Sequence, residues 1–235
     1  MGAQPCSSGA CRTPGRGGTA GAWSLRRALG SSSLRLGRYW ARFEAIRERL
    51  GVQRWFLCGQ SFGAGLTLSY ALAHSEQVLA QVFTNSMSAL GPARSPNAEP
   101  QREARADAIV RGGHAAIAAL PFYPRESRSL PPSLWKPLVE DGRLLDAAAI
   151  AHAVRTTAAD LSVRARLGDI RVPTLLISGG RETAFRPLRD LAAARIPDLE
   201  VLDVDDGGHS VNLDAAEAFN DAVTGYLARH RAAGR

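Results

Sequence analysis

The stretch WFLCGQSFGAGL, residues 55–66, decides how this chain reads. Trp55 to Cys58 is a short apolar run of strand length. Gly59-Gln60-Ser61-Phe62-Gly63 follows, a serine with a glycine two residues to either side, and a helical pattern then runs from about Phe62 to His74. In a flexible loop the same pentapeptide would carry no chemistry. Between a strand and a helix it marks a tight turn that lifts the serine hydroxyl above the end of a sheet, at the cost of a strained backbone. Gly59 and Gly63 are expected to remove side chains that would meet the neighbouring strand and helix. The helix start would aim the Phe62 N–H at negative charge developing on a substrate carbonyl.

A serine nucleophile needs a base. Of the five histidines, His74 ends a helix, His230 lies near the C-terminus, and His114 and His152 fall in a helical stretch where solvated or packed rings are the default. His209 follows an apolar strand on Gly207-Gly208, at the carboxyl end of a strand, where open α/β sheets build their sites. It is the expected general base. An orienting carboxylate is expected at Glu182, just past the strand that ends in Gly179-Gly180. Asp205 and Asp206 compete for that role, but their closeness to His209 in sequence makes the approach to its ring harder. Glu182 could instead be a surface acid paired with Arg181 or Arg186.

Outward from the serine, the pattern is regular. Tyr39, Phe43, Ile46 and Leu50 fall at helical spacing, and Gly51 stops that helix. Val78–Thr84 reads as a strand. Residues 89–165 give helical patches near 101–111, 113–119, 132–140 and 146–159, with no convincing strand. Trp135 and Phe122 there would line a pocket or pack the helices against each other, packing being the default. VPTLLISGG, residues 172–180, and LEVLDVDD, residues 199–206, are strands separated by a helix. Asp214 and Glu217 look like a capping box opening the last helix. Strands alternating with helices predict a parallel sheet covered on both faces. The expected organisation is an atypical segment 1–35, core 36–88, helical lid 89–165 and core 166–235.

With WFLCGQSFGAGL, VPTLLISGGRETAF (residues 172–185) and GGHSVNLDAAEAFNDAV (residues 207–223) in that order, the chain resembles the α/β-hydrolase superfamily, in particular its lid-bearing esterases, enol-lactonases and serine haloperoxidases. The resemblance spans residues 36–230. It implies an α/β fold, here a partial α/β-hydrolase fold, with Ser61, Glu182 and His209 as a catalytic triad and no cofactor or metal. Two departures stand out. Glu182 occupies a position where the family commonly has Asp. Residues 1–35 hold no His-Gly pair and no apolar strand, whereas family members have early strands and a His-Gly loop that gives a second oxyanion donor. The strand at 55–58 is therefore expected at an open edge, and the alternative expectation is a catalytically impaired binding protein.

A serine attacking an alkyl carbon makes no hydrolysable ester, so Ser61 points to acyl chemistry. The expected partner is a small-molecule ester or lactone. The net charge of +7 does not imply nucleic-acid binding. Seven arginines and no acid lie in residues 1–43, leaving 22 basic against 22 acidic residues in the remainder. The Gly-, Ser- and Arg-rich start reads as a disordered, targeting or misread segment. No run is long enough for a membrane span. Three cysteines, without framework spacing, favour a reducing, cytoplasmic setting. Cys58 is expected to be buried.

Overall fold

Trp55-Phe56-Leu57-Cys58-Gly59 forms β1 because its aromatic and branched side chains suit a pleated surface. In the computed structural model, which describes residues 36–92, 99–120, 123 and 130–233, β1 opens a four-stranded parallel sheet. The other strands are β2 (Val78–Thr84), β3 (Thr174–Gly179) and β4 (Leu199–Val204), in the order β1-β2-β3-β4. The flanking helices are α1 (36–49), α2 (Phe62–Ala73), α3 (Met87–Leu90), α8 (Arg186–Arg195), α9 (Val211–Asp214) and α10 (Ala216–Ala233).

Alternation along the strands sends side chains to two cores. Ala80, Val82, Leu175 and Ile177 meet Tyr226, Phe219 and Val223 of α10. Phe83 and Leu176 point the other way, onto Ala64 and Leu68 of α2 and Ala192 of α8. Each large side chain fully buried in this way contributes roughly 1.5–3 kcal/mol of transfer free energy. The sheet is thus covered on both faces, as parallel sheets require. Among the described residues β4 is an edge strand. Its outward Glu200 pairs with Arg229 at 2.6 Å and its Asp203 pairs with Arg189, which places charge along that edge.

β1 is the opposite edge among the described residues. Among the described residues Cys58 is exposed on that edge strand, not buried as expected. Burial of part of the residue nevertheless pushes its thiol pKa up. The inward face of α1 also differs from the expected one. Leu36 and Trp40 are buried and Phe43 packs beside them, whereas Ile46 is 51% and Leu50 65% exposed. Trp40 Nε1 donates to Ser69 Oγ of α2 at 3.3 Å, and Phe43 meets Trp55 and Tyr70 edge-on. That aromatic contact lies over about the first two turns, so the later apolar positions run past the body they would have covered.

Between β2 and β3 the described chain is helical. α4 (Glu99–Ala118) is kinked at Gly113 (φ 55°, ψ −139°); α5 (Pro132–Gly142) and α6 (Ala147–His152) follow, and a π-helical turn, Ala153–Thr157, leads into α7 (Ala158–Asp160). These elements have a core of their own around Ala106, Ile109, Ile117 and Ala151. The segment rejoins the sheet layer through Val163 N–H to Ala89 O at 2.9 Å and Ser162 Oγ to Gly91 O at 2.7 Å. Phe122 lies outside the described residues, and Trp135 is half-buried in α5. Asp214 does not cap α10 in a box with Glu217. It ends α9, and its carboxylate accepts the Gly208 N–H at 2.9 Å. No helix among the described residues is long and apolar enough to cross a membrane.

Candidate active site

β1 ends, Ser61 turns the chain, and α2 begins one residue later. Ser61 has φ 51° and ψ −113° and is the one non-glycine residue with positive φ among those described. A serine held there costs of order 1–3 kcal/mol, which the packed strand and helix on either side must offset. The glycines divide the work differently from the expectation. A Cβ at Gly59 would come within 2.3 Å of Thr67 Oγ1 and 2.7 Å of the Ala64 Cα, so position 59 admits no side chain. A Cβ at Gly63 would meet nothing within 4 Å. The second crowded position is Gly65, where a Cβ would lie 2.9 Å from Leu161 Cβ. Steric need therefore falls on Gly59 and Gly65, because α2 packs its 65 side on the end of the helical segment.

The structure brings Ser61, His209 and Glu182 together at the carboxyl ends of β1, β3 and β4. Ser61 Oγ is 2.8 Å from His209 Nε2. His209 Nδ1 is 3.0 Å from both oxygens of Glu182. No such bond to His209 comes from Asp205 or Asp206 among the described residues. Arg181 pairs with Asp214 at 3.3 Å rather than with Glu182. The His209 side chain is 46% exposed and that of Glu182 22%, so the relay opens to solvent at the imidazole and closes toward the carboxylate. Phe62 is the first residue of α2, where an N–H has no carbonyl one turn back and the helix dipole is positive.

The loop carrying His209 is clamped from three sides. Arg181 N–H donates to Gly207 O at 2.9 Å, Gly208 N–H donates to Asp214 Oδ2 at 2.9 Å, and Gln60 Nε2 donates to His209 O at 3.2 Å. Gly179 permits this close seat: a Cβ there would stand 2.0 Å from Gly208 O. Three of the other four histidines make ring contacts elsewhere. His74 stacks on Tyr70, His114 bonds Tyr123 Oη at 3.0 Å, and His230 packs on Tyr226.

Two residues that sequence reasoning passed over sit under the site. Ser86, 1% exposed, donates its hydroxyl to Ser61 O at 2.6 Å and caps α3 by accepting the Ala89 N–H. Asn85, fully buried, reaches Glu182. Polar side chains just past a buried strand, in FTNSMS, were the available signal.

Comparison with known proteins bears on the fold. A family model described as the alpha/beta hydrolase fold matches residues 14–216, which takes in part of the stretch before the described chain. The chain is similar to a candidate carbamate hydrolase, RutD, of Azorhizobium caulinodans, 27% identical over 207 residues, covering 77% of this chain and 69% of that one. It is similar to a candidate 2-succinyl-6-hydroxy-2,4-cyclohexadiene-1-carboxylate synthase of Bacillus subtilis, 25% identical over 190 residues, again covering 77% and 69%. The solved structure of MenH from S. aureus matches with a TM-score of 0.71 at 19% identity, over 83% of this chain and 76% of that chain. A parallel sheet, a serine on a strained strand-to-helix turn and a family match over most of the sequence lead to one conclusion: the chain belongs to the α/β-hydrolase fold family.

Proposed function

We propose that this chain is a serine-dependent acyl hydrolase of small carboxylic esters or lactones. The observation that carries this reading is the unbroken relay from Ser61 Oγ through His209 to Glu182, at 2.8 and 3.0 Å. Hydrogen-bond contact along the whole chain of groups is what a base-activated hydroxyl needs. Glu182 holds the imidazole with Nδ1 protonated, which leaves Nε2 to accept the Ser61 proton. The Ser61 oxygen bonds to the carbonyl carbon, and the Phe62 N–H faces the resulting oxyanion. The imidazolium then protonates the leaving alkoxide, giving an acyl-enzyme. Water, deprotonated by His209, attacks that ester, and Ser61 leaves with the returned proton. The helical segment between β2 and β3 serves as a lid over the acyl group. The relative named as a carbamate hydrolase acts, by its name, on a carbonyl flanked by heteroatoms, in keeping with this chemistry.

The test is release of a chromophore from short-chain aryl esters, together with labelling by a fluorophosphonate. Ser61→Ala is expected to lower turnover at least about 1,000-fold and to abolish labelling while the circular dichroism spectrum stays unchanged. A folded wild-type protein that neither turns over the esters nor takes the label would defeat the reading and favour a binding role.

A further inference from the structure

Resting on the serine-hydrolase reading above, we infer that Asn85 is a positioning residue for the reaction: it holds the Glu182 carboxylate against His209 from beneath, through the end of the sheet. The parallel ladder of β2 and β3 pairs Thr84 with Ile177 and then stops. The Asn85 side chain continues it. Its Oδ1 accepts the Gly179 N–H at 2.9 Å, and its Nδ2 donates to Gly179 O at 3.2 Å. The same Nδ2 donates to Glu182 Oε2 at 2.8 Å. One amide therefore fixes both the backbone from which the acid loop springs and the acid itself.

The chemistry of the side chain suits this task. Asn85 is fully buried, and a buried amide left without partners is costly. Here the carbonyl oxygen accepts one bond and the amino group gives two. A carboxylate of the same shape would lose both donations and would face Glu182 as a like charge. An aliphatic side chain would lose all three bonds. Donation to one carboxylate oxygen fixes the plane of the carboxylate, so both its oxygens stay at 3.0 Å from His209 Nδ1. Without it, the carboxylate, 22% exposed, is free to turn toward solvent.

A double-mutant cycle of Asn85→Ala and Glu182→Gln separates positioning from mere support of the fold. With a short-chain aryl ester, Asn85→Ala alone is expected to lower kcat about 10-fold or more with KM within about twofold. Added to Glu182→Gln it should change kcat less than about twofold, because the group it positions is gone. The low-field NMR resonance of the His209 Nδ1 proton, which faces Glu182 at 3.0 Å, gives a readout independent of turnover in the free protein. Asn85→Ala should shift or broaden that resonance in the presence of Glu182 and leave the His209 ring signals unmoved in Glu182→Gln. Equal kcat losses in both backgrounds, or an Nδ1 proton resonance indifferent to Asn85, would overturn the inference. Should Asn85→Ala not fold, Asn85→Ser, which keeps a shorter polar group, is carried through the same cycle with the same expectations. If wild type neither hydrolyses esters nor takes the fluorophosphonate while the Nδ1 proton resonance still responds to Asn85, the hydrolase reading fails and the coupling of Asn85 to the His209–Glu182 pair stands.

Discussion

At the scale of single residues, steric room decides more than pattern does. The pentapeptide around Ser61 is symmetric on paper, but its two glycines are unequal. Gly59→Ala is expected to destabilise the protein by about 3 kcal/mol or more, because the new methyl meets the Ala64 backbone and neither strand nor helix can yield. Gly63→Ala meets open space inside α2 and should leave stability unchanged or raise it by up to about 1 kcal/mol, since alanine is the better helix former. Urea denaturation of the two variants checks both; equal losses would show that the turn, not the packing, requires glycine. The positions of Ser61, His209 and Glu182 were legible because each sits beside a local signal: a boxed serine, a Gly-Gly turn, the end of an apolar strand. Asn85 was not, because its partner lies 97 residues away and nothing in its neighbours records the pairing. Gly65 escaped notice for the same reason, its constraint being Leu161.

At the scale of elements, the four strands and the longer helices among the described residues from 55 to 233 were readable from apolar period and punctuation, while the short α3 and α9 and the facing of α1 were not. Helical spacing marks which side chains share a stripe and is silent on how far the neighbouring body extends beneath it. Leu36, Trp40 and Phe43 meet α2 and β1, and Ile46 and Leu50 overrun them. Capping shows the same division. Asp214 had the sequence of a cap but is engaged by Gly208 and Arg181, whereas Asp146 caps α6 by accepting the Ala149 N–H at 2.7 Å. Asp146→Ala should therefore cost about 1 kcal/mol, read as a fall in thermal midpoint. Asp146→Asn should restore most of it, since an amide oxygen accepts the same bond.

At the scale of the molecule, one response to acid follows from the cluster joining α1 to α2. His74 lies half-buried between Trp40 and Tyr70, and burial holds its pKa below the ordinary 6.5. Such a histidine stabilises the fold above its unfolded pKa, and that contribution is lost as pH falls through the folded value. Glu44, lowered by its bonds from Arg47 and Tyr70, acts in the same sense below 4.5. Stability should thus decline as pH falls below 6.5 through His74, and further as it falls below 4.5 through Glu44. His74→Phe should flatten the upper part of the decline in the urea midpoint measured against pH. The pairing of β2 with β3 reaches across the whole helical segment, with Asn85 and Gly179 separated by 94 positions. Closing so long an excursion carries a large entropic cost that local helices do not share. On dilution from denaturant, helical ellipticity should therefore return first and reactivity of the serine last, since the nucleophile waits for a seam that only the finished excursion can close.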